Sequence, residues 1–73
     1  MMSASLEVDV RDMICSQALA VVAKAALRLS SGDRLIALIN TEDVRRDLEA
    51  WASRLGHHVE PMERNAIHIL LRA

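Results

Sequence analysis

One residue in this chain has both the chemistry and the position to act as a nucleophile. Cys15 is the only cysteine among 73 residues, so it has no disulfide partner within the chain. It stands between an alternating apolar stretch and a long helical stretch, where a helix start presents unpaired N–H groups and the positive end of its dipole. Both features favour a thiolate over a thiol, and the thiolate is the nucleophile. Arg11, four residues earlier, is expected to add positive charge, and Asp12, three residues earlier, to oppose it. Ser16 and Gln17 complete the expected surroundings of the sulfur. The bland alternative is a small buried side chain, since free cysteine is among the most buried residue types.

Other constellations are weaker. His57 and His58 are adjacent, so on a strand they point to opposite faces and do not share an ion. Neither they nor His68 has zinc-ligand spacing with Cys15, and no metal is expected. No nucleophile elbow occurs around a serine, and Gly32 and Gly56 are too far apart to build a phosphate loop. No cofactor is expected. Glu42 and Asp43 read as acids of a helix's first turn rather than as a catalytic pair. Arg45, Arg46, Asp47 and Glu49 read as a solvated face of mixed sign.

The elements that position Cys15 follow from periodicity. Leu6 to Val10 alternates with period two, as a half-buried strand does. From Gln17 to Leu29 the chain is helical in composition, and its polar residues Gln17, Lys24 and Arg28 share one face. The rest of that surface reads as core. Ser30-Ser31-Gly32-Asp33 is a turn signal, with Gly32 free to take positive φ at the helix end. Leu35 to Ile39 is a continuous apolar run, a strand with neighbours on both edges or cover on both faces. Asn40 and Thr41 offer an N-cap to a second helix. Its stripe is Val44, Leu48, Trp51, Ala52 and Leu55, with Trp51 expected in the core, and Gly56 ends it. His57 to Met62, broken by Pro61, predicts an edge strand. Ala66 to Leu71 predicts a stronger one, joined to it through Glu63-Arg64-Asn65. The order β-α-β-α-β-β predicts an α/β (α+β) two-layer sandwich, with a four-stranded mixed sheet and both helices on one face. Residues 1–73 are expected to form a single domain, with 1–5 a flexible lead-in.

Composition bounds the function. Ten Leu, six Val and five Ile beside one Trp describe a small aliphatic core. The net charge is −1, so neither a basic surface nor an aromatic platform is on offer to nucleic acid, and no direct nucleic-acid binding is expected. The first residues lack the basic and apolar regions of a signal peptide, and Lys24 interrupts the most apolar window. A cytoplasmic protein with a reduced thiol and no membrane contact is the expectation. The run Ile67 to Leu71 and the edge at Pro61 leave room for a weak dimer beside a monomer.

The residues Asp9-Val10-Arg11-Asp12-Met13-Ile14-Cys15-Ser16-Gln17-Ala18 resemble the signature of the TusA/SirA/YedF sulfur-carrier family, which begins Asp-x-Arg-Gly and ends Cys-Pro-x-Pro. Ser31 to Asp33 resembles the family's Pro-Gly-Glu turn, and Trp51 with Gly56-His57 its Trp…Gly-His segment. Asn40-Thr41 stands where an Asp pair usually opens the second helix. The likeness runs from Leu6 to Arg72 and includes the element order. Asp12 replaces the motif glycine, and Ser16 and Ala18 replace both prolines. A proline after the cysteine would pre-form the helix start, a rigidity that Ser16 gives up.

The resemblance implies a persulfide relay on Cys15. The sulfur donor would be a cysteine desulfurase or rhodanese and the acceptor another protein, with the sulfur passing in relatives to tRNA thiolation, cofactor assembly or sulfur oxidation. A chain with this fold but an inert or redox-sensing Cys15 would instead be a non-catalytic regulatory or interaction module. A sensor would need glutathione or a partner to resolve a sulfenic acid. Because no second cysteine exists, any chemistry begun at Cys15 must be completed by another molecule.

Overall fold

In the computed structural model, residues 5–63 and 65–72 are described, with the side chains of 61–63 outside that description. Six elements follow in order: β1 (Ser5–Asp9), α1 (Cys15–Ala26), β2 (Arg34–Leu38), α2 (Glu42–Arg54), β3 (His58–Glu63) and β4 (Ala66–Leu70). The strands form one mixed sheet in the order β1-β2-β4-β3. β1 runs parallel to β2, and β4 pairs antiparallel with both β2 and β3.

The apolar run at Leu35 to Ile39 owes its continuity to this central place. β2 has a partner on each edge, and its side chains still alternate, with Leu35, Ala37 and Ile39 buried and Ile36 and Leu38 half-buried. Register places Leu6 beside Leu35 and Leu35 beside Ile69, and Val8 beside Ala37 and Ala37 beside Ile67. That face carries the core, closed by Ala18, Val22 and Ala25 of α1 and by Val44, Leu48 and Ala52 of α2. The opposite face is half-buried and partly polar, and on it Arg34 meets the His68 ring nitrogen at 3.0 Å and Glu60 at 3.5 Å.

Several boundaries differ from expectation, each for a local reason. α1 begins at Cys15, two residues before its apolar periodicity, because Ser16 and Gln17 are exposed and carry no core signal. It ends at Ala26, after which the N–H groups of Leu27, Arg28 and Leu29 donate three residues back and tighten the last turn. Gly32 takes its φ of +86° in the following turn rather than at the helix end. There its N–H donates to Leu71, while Asp33 accepts from the Ser30 N–H at 2.7 Å. Thr41 caps α2 by accepting from Val44, and Gly56 follows that helix at φ +81°.

β3 is an edge strand, and its register shifts between Glu60 and Glu63, around Pro61, which has no N–H to give to a ladder. The link expected at Glu63-Arg64-Asn65 includes Arg64, which lies outside the described residues, as do residues 1–4 of the lead-in. Ser5 already belongs to β1. Within the apolar run on β4, Ile67, Ile69 and Leu71 are buried in the core, while His68 and Leu70 are half-buried on the opposite face of the sheet. No helix among the described residues is long and apolar enough to cross a membrane.

Candidate functional site

Cys15 occupies the first helical position of α1 and is half-buried. The residue before it, Ile14, is the N-cap, yet it has no side-chain acceptor to offer and is 65% exposed. Gln17 supplies the other half of a capping arrangement, its Oε1 accepting from the Ile14 N–H at 3.4 Å. The first-turn N–H groups beside the sulfur therefore lack a side-chain cap, and no acid occupies that turn. Ser16 is exposed, where a proline would have held the same backbone.

The charged residues expected near the thiol are engaged elsewhere. Arg11 grips Asp9 two residues back, with Nε to Oδ1 at 3.0 Å, Nη2 to Oδ2 at 2.8 Å, and its own N–H to Oδ1 at 3.0 Å. That grip holds the Asp9 carboxyl down to about 2 and raises the Arg11 guanidinium above its usual range. Arg11 is thus not a group that acts on the sulfur.

Asp12 has a different task. Its φ is +67°, the left-handed region that accounts for a glycine at this place in the signature it resembles. Aspartate is among the few side chains that tolerate this conformation, because a local hydrogen bond can hold it. Here the partner is Asn40, at the end of β2: Asn40 Nδ2 donates to Asp12 Oδ1 at 2.7 Å, and the Asp12 N–H donates to Asn40 Oδ1 at 3.1 Å. The two connections, β1 to α1 and β2 to α2, are clamped together beside the cysteine.

The groups that do act on the thiol come from α2. Asp47 accepts a hydrogen bond from the Cys15 thiol, and with Asp43 it pushes the thiol pKa above its ordinary value. Partial burial of the sulfur pushes the same way, while the Cys15 amide acts in the opposite sense and is outweighed. The expectation of a thiol lowered by helix start and arginine is therefore reversed. The carboxylates responsible are not Asp12 but Asp43 and Asp47, four residues apart on one face of α2. Asp47 is half-buried against α1, not part of a solvated mixed-sign face. The i, i+4 acids were visible in sequence, but the parallel packing of α1 beside α2 was not.

Trp51 is half-buried rather than fully in the core, and its ring lies 5.6 Å from that of His57 at a tilt of 47°. His57 Nδ1 accepts from the Arg72 N–H at 3.1 Å, whereas His58 is exposed at the start of β3. Among the described residues, no three His, Cys, Asp or Glu side chains gather as metal ligands would.

Fold and site together define a small α+β domain that offers a single half-buried thiol at a helix start. Residues 6–73 match the family described as Sulfurtransferase TusA, and the chain belongs to that family. No curated protein and no solved structure matches it. A sulfur-carrier role in general follows from that membership.

Proposed function

We propose that Cys15 is the sulfur-bearing residue and that the protein relays sulfane sulfur between two protein partners. The observation that carries this reading is the placement of the chain's only thiol. Half-buried, it stands at the uncapped start of α1, in a chain that belongs to the TusA sulfurtransferase family. In the receiving step, the Cys15 thiolate attacks the terminal sulfur of a donor R–S–SH. The donor S–S bond breaks, R–S⁻ leaves, and Cys15–S–SH remains. The passing step is the same exchange with an acceptor thiolate attacking the terminal sulfur, so no external oxidant is consumed. A desulfurase or rhodanese fits the donor role, and tRNA thiolation is one destination for the sulfur.

Asp47 gives this relay a resting state. Hydrogen-bonded to a carboxylate, the free thiol stays protonated and weakly reactive. The first transfer thus requires the thiol proton to leave as the donor docks; Asp47, already its hydrogen-bond partner, is the group placed to accept it, and R–S⁻ takes the proton up once the S–S bond has broken. Asp12 and Asn40 act as positioning residues, because they hold the loop that delivers Cys15 to the helix start.

The test is intact-mass analysis after incubation with a protein persulfide donor. Wild type is expected to gain sulfur and Cys15→Ser to gain none. Equal addition on both, or none on wild type, would overturn the proposal. One observation favours a second reading, a non-catalytic interaction module: the raised thiol pKa. In that case wild type takes up no sulfur, and binding to partners is the same with Cys15→Ser.

A further inference from the structure

At the far end of the helices from Cys15 lies a cavity of about 630 Å³. Its size falls within the ~300–1,000 Å³ typical of small-molecule sites. Leu27, Leu55 and Trp51 form much of its apolar wall. Two of these are conspicuous, since Leu27 is 85% and Leu55 47% exposed, while the core elsewhere buries its leucines well. Apolar surface left open beside a concavity marks a binding site more often than it marks a packing fault.

The polar groups around this wall share one property: the charged ones are all positive. Lys24 and Arg72 line the cavity, and no carboxylate does among the described residues. Neither cation has an ion-pair partner among those residues. His57 also lines it, and because its Nδ1 accepts from the Arg72 N–H, the neutral ring carries its proton on Nε2 as a donor. Six of the carbonyls near the helix ends, which would repel an anion, are already engaged as acceptors. Those of Lys24, Ala25 and Ala26 accept from Leu27, Arg28 and Leu29, and those of Trp51, Ala52 and Ser53 accept from Leu55, His57 and Gly56. Gly56 makes room for Arg72, since a Cβ there would meet the Arg72 side chain at 3.2 Å.

Donors and cations around an apolar hollow call for a ligand with an apolar body and an anionic, acceptor-only head. We infer that this cavity binds an amphiphilic carboxylate, an alkanoate of medium chain length, with the chain against Trp51 and Leu27 and the head held by Lys24 and Arg72. The site is separate from Cys15, so it stands or falls independently of the sulfur relay.

The full chain carries its own probe, since Trp51 is its only tryptophan. Decanoate, titrated below its micellar concentration, is expected to shift Trp51 fluorescence saturably and to move the methyl NMR signals of Leu27 and Leu55. Decyltrimethylammonium, with the same chain and the opposite charge, is expected to bind at least about tenfold more weakly, a factor equivalent to about 1.4 kcal/mol. Lys24→Gln and Arg72→Gln should each weaken decanoate by a few fold to about tenfold. Lys24 lies on the exposed face of α1, so its replacement leaves the fold intact. Equal affinity for the cationic amphiphile, no saturable response to decanoate, or undiminished decanoate binding in the double variant would overturn the inference.

Discussion

Replacing Asp12 separates the backbone demand of the loop before Cys15 from the side-chain clamp that holds it. Two effects act at this position. The φ of +67° costs an ordinary L-residue roughly 1–2 kcal/mol, a cost glycine escapes. The bond from Asn40 Nδ2 at 2.7 Å is charge-assisted but exposed, so its net contribution is taken near the lower end of the usual ~0.5–1.5 kcal/mol. Asp12→Ala loses the bond and bears the full conformational cost, for a destabilisation of about 1–3 kcal/mol. Asp12→Gly also loses the bond and adds about 0.4–1 kcal/mol through a freer unfolded chain, but it relieves the backbone. Its net effect is therefore about 0–1 kcal/mol of destabilisation. The gap between the two variants is about 1 kcal/mol, or ~4–8 °C in Tm for a domain of this size. Thermal melts followed by circular dichroism measure it. Alanine and glycine variants that melt within about a degree of each other would refute the reasoning, because the backbone would then not be what selects the residue.

Two further outcomes follow from the charges near the loop. Asp47→Asn removes the carboxylate that accepts from the Cys15 thiol, so the thiol pKa should fall and alkylation near neutral pH should speed up. An unchanged rate-against-pH profile would show that Asp47 does not hold the thiol. Arg11→Gln should raise the Asp9 carboxyl from about 2 toward the ordinary range, though not all the way, because the residue-11 N–H still donates to it; its side-chain NMR shift against pH reads the change. Because the folded value lies below the unfolded one, the contribution of this pair is present near neutrality. It is lost as pH falls from about 4 toward about 2. A titration of Asp9 that Arg11→Gln leaves in place would argue against the pairing.

Much of this architecture was legible in the chain because burial imposes a period on it. The alternation of β1, the apolar run of β2 and the stripe of α2 each state how one face meets the core. Gly56 and Thr41 mark their helix ends through local backbone chemistry, which needs no distant partner. Pro61 marks an edge because a missing N–H cannot pair in any context. The start of α1 was less legible, since Cys15, Ser16 and Gln17 precede the buried stripe that signals the helix.

What the sequence by itself determined is therefore the element order and the single thiol at a strand-to-helix junction, with the consequence that another molecule must complete its chemistry. What only the tertiary structure decided is which charges that thiol meets. Arg11 was near in sequence, yet a closer carboxylate on Asp9 captured it, since paired ions gain most at contact distance. Asp47 was more than thirty residues away, yet packing two parallel helices on one sheet face brought it to the sulfur. The electrostatics of a site depend on distance through space. Sequence reports such distances only within a turn or two of helix.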